Sequence, residues 1–292
     1  MTLLTYQVLK NVAEQGSFRK AADLLGLTPS AVSHAISSME KELGFSVLNR
    51  GKNGVTLTNY GERLLPYVNA VLNSDESLQQ AIAEFNGLKQ GRIKLGCFSS
   101  VCTNWIPDLV LSFGQKYPAI DIEIFQGTYD EVRYWVKNGV VDLGFLSVSS
   151  AGGLPITPIY KDPLLCVVPK GARKKKGLMQ VEELREYEFV TQRESTDADI
   201  QNFMREHDLS VTSNYHVVDD LSTIAMVAHG LGICLMPELV MNDNPYEVDC
   251  FGLEQDAYRI IGLAALNPDT MAPAARSFYD HVIENYGKLN LD

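Results

Sequence analysis

Along the first 87 residues apolar positions recur at helical spacing, and beyond Gly91 short apolar-rich runs alternate with amphipathic ones. Tyr6, Leu9, Val12 and Ala13 mark one face of a first helix, with Lys10 and Asn11 off that face. Ser17 stands where an N-cap oxygen accepts a backbone N–H, and Phe18, Ala21, Ala22 and Leu25 continue at helical spacing until Gly26 interrupts them. Thr28 can cap a further helix with Pro29 at its first position, where a missing N–H costs nothing, and Val32, Ile36 and Met39 form its inward face. The other face carries Ser30, Ser33, His34, Ser37 and Ser38, which are small and polar.

Residues 49–57 alternate around a Gly-Lys-Asn-Gly turn and predict a two-stranded wing. Thr58 then caps a long helix reaching about Gly87, with Leu64, Val68, Leu72, Leu78, Ile82 and Phe85 as one stripe and Pro66 forcing a bend or local irregularity. A module of under 60 residues cannot cover such a stripe, so the helix is expected to pair with its copy in a second subunit. Beyond it the pattern predicts strands at 93–98, 120–125 and 141–146, with helices at 103–116 and 129–138 between them, a βαβαβ start to an open parallel sheet. Strands at 163–169, 189–192, 215–218 and 232–236, with helices from Asp197 and Asp220, form a second set. A strand at 260–266 and a helix at 274–286 return to the first set.

Two helices joined by a tight break, the second with a small polar face, describe a helix-turn-helix whose second member suits a major groove. A plain helical hairpin with serines in water is the competing reading of those residues alone. The wider sequence resembles the LysR-type family of bacterial transcription regulators, through Gly16-Ser17-Phe18, Ala21-Ala22, Leu24, the run from Thr28 to Ile36, Met39-Glu40, Leu43-Gly44, Arg50 and residues 57–61. Less specific matches are Gly-Val-Val-Asp-Leu-Gly-Phe at 139–145 and Gly-Leu-Gly-Ile-Cys-Leu-Met-Pro at 230–237. Two departures occur: Val47-Leu48 replaces the family's usual Leu-Phe, and His34 stands where arginine is frequent, which bears on sequence preference.

The resemblance implies an α/β chain in three parts. A winged helix-turn-helix domain at 1–58 is followed by a linker and dimerisation helix at 59–89 and a two-lobed α/β effector domain at 90–292, similar to periplasmic solute-binding proteins. Lobe I is expected at 90–160 and 267–292 and lobe II at 161–266, with crossovers near Tyr160 and Leu266. The implied function is DNA-binding transcription regulation switched by a small molecule. Implied partners are double-stranded operator DNA, a small-molecule effector and further copies in a homodimer or homotetramer, with RNA polymerase a candidate. The expected DNA contacts are Ser17, Arg19, Thr28, Ser30, Ser33, His34, Arg50 and Lys52.

Composition agrees with this reading. The 292 residues are 46% hydrophobic and 21% charged, enough for more than one core. The formal net charge of −11 is uneven, because residues 1–58 sum to +2 and the remainder to −13, so phosphate contact is expected only in the head. There is no leader peptide pattern and no apolar run of about 18 residues, which predicts a cytoplasmic protein without a membrane role. Five cysteines without a C-x-x-C pair predict reduced thiols rather than disulfides or a zinc site, with Cys97 and Cys102 the candidates for oxidant sensing. The run Arg173-Lys174-Lys175-Lys176 reads as a solvated loop.

In open α/β sheets ligands sit beyond the C-terminal strand ends, where helix N-termini present unpaired N–H groups. The residues there, Ser99, Ser100, Thr128, Phe145, Ser147, Thr191 and Ser195, are the expected effector contacts. Each polar one could instead cap its own helix. Helix N-termini and Arg193 favour an anionic effector such as a carboxylate, although Glu194 offsets the arginine. No phosphate loop, nucleophile elbow or metal-ligand spacing is present, so neither an enzyme nor a cofactor is expected. A solute-binding protein of transport is the reading that the last 200 residues alone would permit.

Overall fold

The computed structural model describes residues 1–51, 54–87, 89–192, 198–209, 215–242 and 244–287. They fall into two compact units, Met1–Lys89 with Asn138–Val140, and the chain from Gln90 onward without that segment.

The first unit opens with α1 (Leu3–Gln15), α2 (Phe18–Leu25) and α3 (Pro29–Leu43). Their starts are set by side chains: Thr2, Ser17 and Thr28 accept from the backbone N–H of Thr5, Lys20 and Ala31. Their ends are set by Gly16, Gly26 and Gly44, all left-handed at φ 59°, 65° and 78°. The wing strands β1 (Leu48–Gly51) and β2 (Gly54–Leu57) pair antiparallel, with Leu48 opposite Leu57. Val8, Leu9 and Val12 of α1 pack with Ala21, Ala22, Val32, Ile36, Met39, Val47 and Leu48. Tyr6 and Ala13, assigned to the core by spacing, are only half-buried, and Val8 takes the central place.

Helix α4 (Asn59–Phe85) starts at Thr58, whose hydroxyl accepts from Gly61 N at 3.1 Å. It runs from Asn59 to Phe85 as one helix with Pro66 inside it. Gly61 has a specific reason to be glycine: a Cβ would stand 2.1 Å from the backbone oxygen of Val47. The expected single stripe divides in two. Val68 is buried in the helix-turn-helix core with Leu64 and Leu72 against it, whereas Leu78, Ile82 and Phe85 remain 57%, 45% and 86% exposed. Tyr67 and Val71 extend that exposed set, giving positions 67, 71, 78, 82 and 85 at helical spacing.

The second unit begins β3 (Gly91–Cys97), α5 (Ser99–Asn104), α6 (Ile106–Lys116), β4 (Ile120–Gln126), α7 (Tyr129–Lys137) and β5 (Leu143–Ser147). Strand β3 pairs parallel with β4 on one side and β5 on the other. The helix expected from Thr103 already starts at Ser99 and breaks at Trp105, so Ser99 and Ser100 lie inside a first turn capped by Phe98 without a side-chain bond.

Strand β6 (Ile156–Pro169) is a single 14-residue strand where a strand from Pro163 was expected. It is followed by α8 (Val181–Leu184), β7 (Thr191–Gln192), α9 (Ala198–Glu206), β8 (His216–Val217), α10 (Asp220–Ala228), β9 (Cys234–Pro237), α11 (Glu238–Met241), β10 (Val248–Gly252), β11 (Tyr258–Ala264) and α12 (Pro273–Tyr286). The first half of β6 pairs with β11, which also pairs with β5, completing the first lobe. Its second half pairs with β9 and β10 in the second lobe. The return crossing therefore lies at the start of β11, near Tyr258, rather than near Leu266, since Ile261 to Ala264 already face Ser147 to Gly144.

Each lobe has its own core. Phe113, Phe145, Leu143, Leu263 and Phe278 centre the first, and Leu164, Cys166, Phe189, Phe203 and Leu235 the second. Arg173 corrects the expectation of a solvated basic loop. It is buried, paired with Glu183 at 2.9 Å, and donates to the carbonyls of Lys175, Gly177 and Leu178, while Lys174 to Lys176 stay exposed.

Candidate functional site

Two places combine accessible polar groups with a rigid frame, one in each unit. In the first, burial of Val32, Ile36 and Met39 turns Ser30, Ser33, His34, Ser37 and Ser38 outward from α3, with Ser33 half-buried and the others exposed. The side chains of Ser17 and Thr28 are engaged as caps, so any phosphate contact there would share an oxygen already accepting from the backbone. Arg19 is exposed on α2. Arg50 reaches from the wing across to α3: it donates to Ser37 Oγ at 3.3 Å, lies 3.9 Å from Glu40, and covers the Phe18 ring at 4.9 Å. It is still 48% exposed, so wing, α2 and α3 hold one guanidinium at a common surface. Lys52 lies outside the described residues.

In the second unit a cavity of about 260 Å³ opens at the C-terminal ends of β3 and β4. Ser99, Ser100, Gln126, Thr128 and Glu131 line it from one lobe, Gln192, Asp219 and Asp220 from the other, and Arg259 lies between. An adjoining hollow of about 360 Å³ shares Ser99, Ser100, Gln126, Asp219 and Asp220 and adds Asn104, Leu221, Val240 and Pro245.

Arg259 is the framework of this site. It sits opposite Asp162 where β6 and β11 cross between lobes, with Nη2 2.7 Å from the Asp162 carboxylate, and the two side chains are 3% and 0% exposed. Its Nη1 donates to Tyr129 Oη and its Nη2 to Ser100 Oγ, both at 2.8 Å, and its plane covers the Phe98 ring. Asp162 also accepts from Leu239 N at 3.0 Å, tying the pair to α11. Neighbouring Tyr160 has its pKa raised, first by burial and then by the Asp162 charge.

The structure brings some expected contacts together and separates others. Ser99 is exposed in the cavity and accepts from Gln126 Nε2 at 3.2 Å. Ser100 lines it too, but as a buried acceptor for Arg259. Thr128 lines it while its hydroxyl and Glu131 form a capping box on α7. Phe145 and Ser147 are fully buried and line neither hollow: Phe145 packs on Trp105, and Ser147 bonds Ser149 at 3.1 Å. Thr191 borders a smaller gap inside the second lobe and donates to Tyr215 O. Ser195, Arg193 and Glu194 lie outside the described residues.

Sequence reasoning missed Arg259, Gln126, Gln192, Asp219 and the part of Glu131. For Arg259 a signal existed: it is the one charged residue in Tyr-Arg-Ile-Ile-Gly-Leu-Ala, an otherwise apolar strand, and buried charges are rare unless paired. Cys97 and Cys166 offer little thiolate chemistry, since burial first and Cys102 second push the Cys97 thiol up, and burial pushes Cys166 up to about 12. Among the described residues no cluster of three His, Cys, Asp or Glu could hold a metal, and no helix is long and apolar enough to cross a membrane.

Comparison with known proteins places both units. Residues 3–62 match the model of bacterial regulatory helix-turn-helix proteins of the lysR family, and residues 86–287 match the LysR substrate binding domain. A probable HTH-type transcriptional regulator, LrrA of Synechococcus elongatus, is 30% identical over 286 residues, covering 96% of each chain. Full-length OxyR C199D from Pseudomonas aeruginosa superposes with a TM-score of 0.78 at 19% identity, covering 97% of this chain and 95% of that one. Full-length CbnR complexed with its target DNA gives 0.67 at 18% identity, covering 97% and 99%.

Proposed function

Because the chain belongs to the LysR family of DNA-binding transcription regulators with an effector-binding domain, and so is a regulator rather than an enzyme, we propose specific roles for its residues. Helix α3 enters the major groove of operator DNA, with Ser30, Ser33 and His34 toward the bases and Arg19, Arg50 and Lys52 toward phosphates or the minor groove. The observation that carries this is the exposed small polar face of a helix whose opposite face is wholly buried. A small-molecule effector occupies the cavity around Ser99, Gln126 and Arg259. Binding there favours one arrangement of the lobes and so alters how the chain holds DNA. The regulator works in the cytoplasm as a homodimer through α4, or as a tetramer of two such dimers, and RNA polymerase is a further partner. A transport solute-binding protein would leave the three N-terminal helices and the wing without a role.

The test of the DNA face is a salt-dependent mobility shift with the chain's own promoter DNA. Ser33→Ala and His34→Ala are each expected to weaken specific binding by about 1 to 3 kcal/mol while leaving thermal unfolding unchanged, because neither side chain is in the core. Binding as tight as the parent's in both variants would place the recognition face elsewhere.

A further inference from the structure

The cavity is short of groups that hold an anion. At the start of α7 the backbone N–H and hydroxyl of Thr128 both donate to Glu131 Oε2, at 2.8 and 3.1 Å. At the start of α10 Ser222 N donates to Asp219 Oδ1 at 2.8 Å. That backbone bond, first among the causes, holds the Asp219 carboxyl below the ordinary range, so it is ionised at neutral pH. The N-termini of α7 and α10 are thus already served by the chain's own carboxylates, and the short α5, which has no side-chain cap, shares its hollow with Asp219 and Asp220. Arg259 is the only cation lining the cavity among the described residues, and Asp162 neutralises it at 2.7 Å.

The same cavity is rich in free acceptors. Asp220 accepts from Gln192 through Oδ1 alone, and Glu131 uses only Oε2, so one oxygen of each carries no protein hydrogen bond among the described residues. A separate observation points the same way. At the contact between the lobes, outside the cavity lining, Ser149 donates to Asp199 Oδ1 at 2.6 Å, while Asp199 Oδ2 is buried without a hydrogen-bond partner among the described residues. Buried carboxylate oxygens without donors are rare in folded proteins, so the lobe contact too carries an unserved acceptor.

Glu131 belongs to one lobe and Asp219 and Asp220 to the other, so three like charges face a common space from both sides. Repulsion between them opposes closure, and a positive ligand between them would both relieve it and bridge the lobes. We propose that the effector carries a cationic amine, held between Glu131 and Asp220, and not the carboxylate expected from helix N-termini alone. This rests on the reading of the cavity as the effector site.

The test compares three probes of matched length on the full chain: 1,4-diaminobutane, 1,4-butanediol and succinate, followed by thermal unfolding and calorimetric titration. The diamine is expected to bind and raise the unfolding temperature, with succinate giving no shift. Asp220→Asn and Glu131→Gln keep the Gln192 bond and the capping box, and each should weaken diamine binding about tenfold. Binding of succinate in preference to the diamine, diamine binding that both variants leave intact, or no shift with any probe overturns the proposal. A Ser99→Trp variant separates the two readings. If succinate binds and this variant abolishes it, the cavity stands as the effector site and only its charge preference fails; if diamine binding survives the tryptophan, the site itself lies elsewhere.

Discussion

Replacing Arg259 by alanine is expected to cost the effector-binding unit about 3 to 5 kcal/mol of stability, because it leaves a buried carboxylate without its counter-charge. Asp162 is fully buried and lies opposite Arg259 on the neighbouring strand, and no other cation lines the cavity among the described residues to take the guanidinium's place. The loss extends to both lobes. Tyr129 and Ser100 lose their donor on one side, and Asp162, which also accepts from Leu239 N, loses its anchor on the other. Urea unfolding followed by tryptophan fluorescence reads this unit selectively, since both tryptophans, Trp105 and Trp135, belong to it. A second variant, Arg259→Met with Asp162→Asn, removes the charges together while keeping an acceptor for Leu239. It should recover more than half of the loss, and a double variant as unstable as Arg259→Ala would assign the cost to lost packing instead.

The second large effect is on assembly. Leu78→Lys with Ile82→Lys is expected to convert the dimer to monomer and to weaken operator binding about 100-fold or more, as two linked heads become independent ones. Both side chains are about half exposed in the single chain, within a stripe that runs from Tyr67 to Phe85, so lysine there can be solvated in the monomer. Lysine at Val68 and Leu72, which belong to the same stripe in the sequence, would not isolate assembly. Val68 is 2% exposed within the core of the helix-turn-helix, and a lysine there would break the fold. Light scattering on the parent and double-lysine proteins, with a mobility shift on each, checks the expectation. A parent protein that is already monomeric would refute it.

What could be read in the sequence was what local chemistry fixes. Ser17, Gly26, Thr28 and Pro29 set helix ends within a few residues, and each performs the cap or stop that its type predicts. The alternation of strands and helices after Gly91 was equally legible, because each element carries its own periodicity. What escaped depended on partners far along the chain. The Arg259–Asp162 pair joins residues 97 apart, and nothing local to either names the other. The α4 stripe divided because its first half joins a core while Leu78, Ile82 and Phe85 in its second half stay exposed, which periodicity alone cannot distinguish. Phe145 and Ser147 were placed by the rule that ligands gather at strand ends. Here β5 is buried along its whole length, and β11 pairs with it as far as Ser147.

The expectation of an anionic effector rested on free helix N-termini, and two of those at the cavity are occupied. A helix N-terminus attracts an anion only while its N–H groups lack acceptors, and in α7 and α10 the chain's own Glu131 and Asp219 fill that role. The Thr128-x-x-Glu131 capping box was visible in the sequence, and reading it would have tempered the inference.

A small molecule entering the cavity at Ser99, Gln126 and Arg259 is expected to change how the recognition helices hold DNA. Footprinting of the full-length parent and Ser99→Trp proteins on the chain's own promoter DNA, against a panel of small polar metabolites, tests it most directly. A compound that alters the length of the parent's protected region is expected to leave the footprint of the tryptophan variant, which still binds DNA, unaltered. An identical response in the two proteins would contradict it.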